Sequence, residues 1–412
     1  MKLWMLPLLA MPLLATTVHA EQVWSFEQVL QAAMASHPLV LGKRFAQAAA
    51  KAEQEGAEWQ RYPTLSLEMN KQRSLDANTQ LGVTNGSVFV VEQPLWSGGR
   101  ITADIGAAES RFDAAGAALV EARQELTLKV IAATTEALRQ KVRQQHGITD
   151  VKEHEKLLAM IQRRVLQEVS PMADQRLAES RLYASVNDLS LTTQGLNNAL
   201  AQLSQLAGQP VREINDLGLV EAKVPVSLDA ALNEAQDYSP TLRRLKFEEE
   251  AANADIDSKR SAYFPKLVLR LGKSAGVGQV SDTSAMLVLS AQPGAGLSSI
   301  SGADAAIAKR EAARMASEAA VRDMRESLTL DWNEWIAARL RLENADHARA
   351  TSTEVFESYA RQYTTGRKTW IDVLNAMRET TLAELAADDA HTQMLAASLR
   401  LRALSGTLSI SQ

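Results

Sequence analysis

The sequence predicts a mainly α-helical chain built as two copies of one unit, each copy carrying a single β-hairpin. Three observations carry that reading. The chain repeats itself: Ser25-Phe26-Glu27-Gln28-Val29-Leu30 returns as Ser227-Leu228-Asp229-Ala230-Ala231-Leu232, an offset of 202 that also relates Pro38 to Pro240, Pro63 to Pro265, Leu65 to Leu267 and Leu67 to Leu269. Each copy then holds two short stretches in which apolar residues alternate with other residues, the period of a strand. After those stretches the pattern turns helical over great length, with no proline between Pro94 and Pro171 and none after Pro293. A unit of about 200 residues is too long for a solenoid repeat, so the halves are structural equivalents.

Each half opens with a short amphipathic helix, capped by Ser25 or Ser227 and ended or kinked at Pro38 or Pro240. An Ala-rich helix follows, Phe45 to Trp59 and Phe247 to Ala262, stopping at Tyr62-Pro63 and Phe264-Pro265. Next come the hairpins, about residues 64–94 and 266–293. Leu65, Leu67 and Met69 alternate with Ser66, Glu68 and Asn70, and Leu267, Leu269 and Leu271 with Val268 and Arg270. Strands of about ten residues cross a bilayer when tilted, which makes Leu65, Leu67, Leu267 and Leu269 the candidate lipid-facing residues. Tyr62 and Phe264, each before a proline at a strand start, suit either an interfacial aromatic belt or the helix–strand junction.

Phe112, Leu119, Leu126 and Ala133 fall seven apart, and Leu328, Trp335 and Leu342 repeat the spacing, with Glu125-Leu126-Thr127-Leu128 set against Ser327-Leu328-Thr329-Leu330. Sustained heptads indicate coiled-coil packing, and a helix of about 65 residues spans roughly 100 Å. Each run is broken once. At residues 168–174, Ser170 before Pro171 reads as a helix start with proline at the first helical position. At residues 363–372, Thr369-x-x-Asp372 reads as a capping box. Near the end, Leu206-Ala207-Gly208 matches Leu404-Ser405-Gly406. The expected organisation is a first repeat over 21–210, a linker over 211–225 and a second repeat over 226–412.

Lys2, the apolar run to Leu14 and Val18-x-Ala20 form a secretory signal over residues 1–20. The 412 residues contain no cysteine, which excludes disulfides and thiolate metal sites. A net charge of −5, from 44 basic and 49 acidic residues, offers no basic face for nucleic acid. Catalytic motifs are absent. His154-Glu155 has Leu158 where a zinc helix needs a second histidine, and Gly272-Lys273-Ser274 has Leu267 where a phosphate loop needs glycine. No cofactor, metal or enzymatic activity is expected.

Four strands cannot close a barrel, and open edges are not tolerated in lipid, so several copies must close one barrel together. With that in place, the order of elements, the duplication, Gln93-Pro94-Leu95-Trp96-Ser97-Gly98-Gly99-Arg100 and Tyr363-x-x-Gly366-x-x-Thr369-x-x-Asp372-Val373-Leu374-x-Ala376 resemble the TolC-like outer-membrane channel proteins. The ending Ala403-Leu404-Ser405-Gly406-Thr407-Leu408 is similar too. The resemblance implies a homotrimer whose twelve-stranded β-barrel in the outer membrane continues as a periplasmic α-helical barrel. It implies a periplasmic adaptor and an inner-membrane ABC or proton-driven transporter as partners, and a function as the exit duct of a tripartite export machine.

By position, the resemblance makes Asp372 and its first-half counterpart Asp174 the acids of the pore constriction, with Lys368 and Tyr363 tying neighbouring helices shut. Gly366, Arg367, Ser170 and Pro171 become the adaptor-docking tip. Two departures stand out: Asn375 replaces a second acid, and the first tip, Glu168-Val169-Ser170-Pro171, lacks glycine. The Ser-Pro tip leans towards type I secretion of large adhesins, with drug or small-molecule efflux as the alternative. A periplasmic coiled-coil adaptor or a structural coiled-coil protein would explain the helices but not the paired hairpins. Both acids also suit a bare helix-capping role, since each stands in the first turn of a helix.

Overall fold

The computed structural model describes residues 23–73, 83–215, 224–276, 279–292, 294–295 and 298–408. The signal segment 1–20, most of the hairpin loop after Ser74, much of the 211–225 linker and Pro293 lie outside these residues.

The two halves unfold in the same order. In the first, β1 (Val23–Trp24) leads to α1 (Phe26–Ser36), α2 (Pro38–Trp59), β2 (Thr64–Arg73), β3 (Val83–Trp96), α3 (Arg100–Leu166) and α4 (Met172–Ala207). In the second, β4 (Glu213–Ile214) leads to α5 (Leu228–Tyr238), α6 (Pro240–Arg260), β5 (Lys266–Gly276), β6 (Gln279–Ser290), α7 (Ser298–Thr364) and α8 (Trp370–Ser405). Among the described residues no helix is long and apolar enough to cross a membrane.

Ser25 caps α1 in a full capping box, its hydroxyl accepting from the Gln28 N–H at 3.2 Å while Gln28 Oε1 accepts from the Ser25 N–H at 2.9 Å. Ser227 caps α5 from the Ala230 N–H at 3.1 Å. The Ala-rich helices start earlier than the sequence pattern placed them, at Pro38 and Pro240 rather than near Phe45 and Phe247. Proline ends the preceding helix and also opens the next one, because the first helical position has no partner for an N–H to lose. His37 Nδ1 and Ser239 Oγ cap these starts, accepting from Leu39 and Leu242.

A second difference concerns the repeat itself. Helices α3 and α7 both contain 67 residues, and α4 and α8 both contain 36. Counting from the starts at Arg100 and Ser298 sets Val130, not Leu126, opposite Leu328, and both are fully buried. The match of Glu125-Leu128 to Ser327-Leu330 is thus four residues, about one turn, out of the helical register. A third difference lies at Pro171, which is extended (φ −72°, ψ 153°) and precedes α4 as its cap residue. It does not occupy the first helical position, and Ser170 stands one residue outside the cap.

Strands β2, β3, β5 and β6 form one antiparallel sheet in that order. Pro94 pairs with Val268 and Trp96 with Leu267, leaving Leu95 as a bulge where the chain leaves the sheet. Parallel β1 and β4 make a second, two-residue pairing inside the expected linker, and this ties the start of the chain to the middle.

The main core lies partway along the helices. Val29 and Val40 meet Leu126, Val130, Ile131, Leu203 and Ile214, all essentially without solvent contact. Each such side chain contributes about 1.5–3 kcal/mol. Of the heptad residues, Leu119, Leu126 and Ala133 are buried, so the seven-residue spacing marks the packed seam of α3. Both halves close on a left-handed glycine. At Gly406 (φ +74°) a Cβ would lie 2.4 Å from the Tyr238 ring, and at Gly208 (φ +66°) one would lie 2.9 Å from Ser36 Oγ. The end of the short first helix and the end of the last helix therefore meet in both halves, with no room for a side chain.

Candidate functional site

The sheet sorts its side chains by face. Directly paired residues share a face, so the register puts Leu65, Leu67, Phe89, Val91, Leu267, Leu269, Leu271, Leu287 and Leu289 together. The other face carries Ser66, Glu68, Glu92, Arg270, Ser274 and Ser284, among some valines, and Glu92 pairs with Arg270 across β3 and β5. The four leucines picked out from the sequence therefore lie on one apolar face. On edge strand β2, Leu65 and Leu67 are 66% and 61% exposed, and on the opposite edge Leu287 and Leu289 are each 67% exposed. At the helical end of the sheet, Tyr62 packs on Trp59 at 5.1 Å and Phe264 meets Trp96 edge-on at 6.3 Å. Both Tyr62 and Phe264 remain more than half exposed.

The other candidate region is the far end of the helices, where two short turns join α3 to α4 and α7 to α8. Their backbones share two hydrogen bonds at matching positions, and the first turn adds a third from the Ser170 N–H to the Arg164 carbonyl. The Glu168 N–H donates to the Val165 carbonyl and the Val169 N–H to Arg164; in the second turn Gly366 donates to Tyr363 and Arg367 to Gln362. Glu168 (φ +59°) takes the left-handed place that Gly366 (φ +73°) fills in the second turn. The missing glycine of the first tip thus changes the residue and leaves the turn intact.

Asp372 closes a capping box with Thr369: its Oδ2 accepts from the Thr369 hydroxyl at 2.8 Å and from the Thr369 N–H at 3.0 Å, while the Thr369 hydroxyl accepts from the Asp372 N–H. The Thr369 hydroxyl, then its N–H, then the nearby Lys368 charge hold the carboxyl below its ordinary range. Asp174 occupies the matching first turn of α4. Lys368 sits with its ammonium 3.9 Å above the Tyr359 ring, so within one chain its close partner is an aromatic face and not an acid.

Tyr363 is buried and joins a cluster with Leu157, Ile161, Trp370, Val373 and Met377. Its ring lies 5.7 Å from that of Trp370, and the Arg164 guanidinium sits 4.8 Å over its other side. Arg164 also reaches Ser170 Oγ at 3.4 Å. Arg164, Tyr359 and Trp370 were not picked out from the sequence. The available signal was Tyr359 and Tyr363 four residues apart on one helix face, next to the tip.

No group of His, Asp and Glu that could hold a metal occurs among the described residues. Among curated proteins, none matches the chain in sequence. Several solved structures share its fold: CusC, with a TM-score of 0.83 at 15% identity over 94% of this chain and 95% of that one. VceC of Vibrio cholerae follows at 0.82 and 15% identity, covering 92% and 96% of the two chains. MtrE of Neisseria gonorrhoeae, in its open state, gives 0.79 and 17% identity over 92% and 88%. The sequence profile described as "Outer membrane efflux protein" matches residues 29–209 and 231–407, one segment in each half. The chain has the TolC-like fold and belongs to the outer membrane efflux protein family.

Proposed function

We propose that this chain is the outer-membrane exit duct of a tripartite export machine, receiving cargo from an inner-membrane transporter through a periplasmic adaptor. The observation that carries the reading is the pairing of a four-stranded sheet, apolar on one face, with 67-residue helices. A sheet of that kind is stable in lipid once its edges are joined, and three copies joined through β2 and β6 give twelve strands. The helices then continue the barrel for about 100 Å into the periplasm. Leu65, Leu67, Leu267 and Leu269 face lipid. Asp372, Asp174, Lys368 and Tyr363 form the constriction, and Gly366, Arg367, Ser170 and Pro171 form the surface met by the adaptor. Residues 1–20 direct export and are removed. The chain performs no chemistry and is a conduit.

Efflux of small molecules is the cargo reading we adopt, on the family's description. Secretion of large adhesins is the second reading, and the Ser170-Pro171 tip favours it. Deleting the gene in its host tests both. The expected result is accumulation of membrane-permeant dyes and greater susceptibility to toxic small molecules. Unchanged dye efflux with loss of a large surface protein would establish the second reading, and neither effect would overturn the export role.

A further inference from the structure

Between α3 and α8 runs a seam of charged side chains, about 30 Å from the tips at 1.5 Å per helical residue. At its centre His146 stands between two carboxylates one turn apart on α8: Nδ1 is 3.2 Å from Glu384 Oε2, and Nε2 is 2.5 Å from Asp388 Oδ2. A neutral imidazole has one N–H and one lone pair, so only the imidazolium can donate to both. Asp388 Oδ2 is buried and makes no hydrogen bond of ordinary geometry, so its approach to His146 Nε2 is a close ion contact. No other cation among the described residues is paired with Glu384 or Asp388.

The surrounding groups are accounted for. On α3, Arg143 pairs with Asp389, Arg139 binds Glu136 with Asp389 at 3.9 Å, and Asp150 accepts from the Thr381 hydroxyl. His154 lies 3.7 Å from Asp150 and is shifted the opposite way to His146, chiefly by burial. On its other side α3 meets α4 through Leu189 and Thr193, which do not titrate, and Arg181 of α4 brings its charge to His154. Lys141 is held by Glu213 of β4.

We propose that His146 is a pH-sensitive latch that holds the first helical hairpin against the second. Protonated, it bridges both carboxylates; deprotonated, it leaves the two carboxylates side by side on α8 with no cation opposite them on α3. The close contact with Asp388, then the charges of Asp388 and Glu384, raise the imidazole above its ordinary pKa. A raised value places the latch's contribution fully in force below the ordinary histidine pKa of about 6.5, and it is lost as pH rises through the raised value. The seam therefore tightens in acid and loosens towards alkaline pH.

The native chain has no cysteine, so spin labels at Thr149→Cys and Ala386→Cys report the seam alone. Labelled chains are diluted into unlabelled ones in detergent. The distance distribution should be narrow near pH 5.5 and longer or broader near pH 8.5, with the change centred on a histidine pKa. His146→Gln should abolish the change, His154→Gln should leave it, and Glu384→Gln with Asp388→Asn, which removes both partners of the imidazolium, should abolish it as well. A wild-type distance that ignores pH, or a His146→Gln protein that keeps the full response, would overturn the latch. These distances are read without any conductance, so a failed channel assignment and a failed latch are distinguishable.

Discussion

The guanidinium of Arg164 lies 4.8 Å above the ring of Tyr363 and joins the end of the first long hairpin to the end of the second within one chain. Contacts of this kind contribute about 0.5–2 kcal/mol, the higher figure when desolvated, and Tyr363 is buried. Arg164→Ala and Tyr363→Ala should therefore raise resting conductance in planar bilayers. Tyr363→Phe keeps the aromatic face and should stay near wild type. Equal effects of Phe and Ala would show that the hydroxyl carries the link.

Glu168 is the one described residue other than glycine with a positive φ. A side chain in that region costs about 1–2 kcal/mol. Glu168→Gly should raise the thermal midpoint, and Gly366→Ala should lower it by a similar amount. Scanning calorimetry on the purified protein decides the matter, and unchanged midpoints would mean that the turns relax freely.

For Asp372, the two donors from Thr369 keep the carboxyl ionised to lower pH than usual. Its capping contribution is therefore present at neutral pH and disappears only as pH falls through that lowered value, beneath the ordinary aspartate range. If three copies ring the constriction, Asp372→Ala weakens cation selectivity at pH 7. Thr369→Ala, which removes a cap worth about 1 kcal/mol, leaves the charge in place and should spare selectivity. Reversal potentials in a salt gradient separate the two roles.

The sheet makes its own test. Arginine at Leu65, Leu67, Leu267 or Leu269 should cost roughly 2–4 kcal/mol near the bilayer midplane and lower trimer yield on unheated gels, while Ser66→Arg should be tolerated. Tolerance at both sets of positions would remove the sheet from the membrane.

Much of this architecture was readable from local signals. Ser25 with Gln28 and Thr369 with Asp372 carry their caps in the residues themselves, and the alternation through Leu65 and Leu67 fixes which side chains share a face. What failed depended on register. Leu126 and Leu328 look equivalent because both sit in Leu-Thr-Leu, but helix phase is counted from the helix starts, at Arg100 and Ser298, which no local motif marks. The tip cluster was half legible. Tyr363 and Lys368 came from resemblance, whereas Arg164 reaches Tyr363 across nearly 200 positions of sequence, a separation that no periodicity encodes. The partners of His146 are hidden for the same reason, lying on α8.

The equal lengths of α3 and α7, and of α4 and α8, put a constraint on how this chain can change over time. The halves have drifted apart in nearly every side chain, yet neither long helix has gained or lost a residue against its twin. One added residue in α3 would lower its turn by about 1.5 Å and rotate everything beyond it by about 100°. Arg164 would then miss Tyr363, and the first turn would no longer end level with the second. Substitutions can accumulate along such legs almost without limit, but insertions must arrive in both halves at once or not at all.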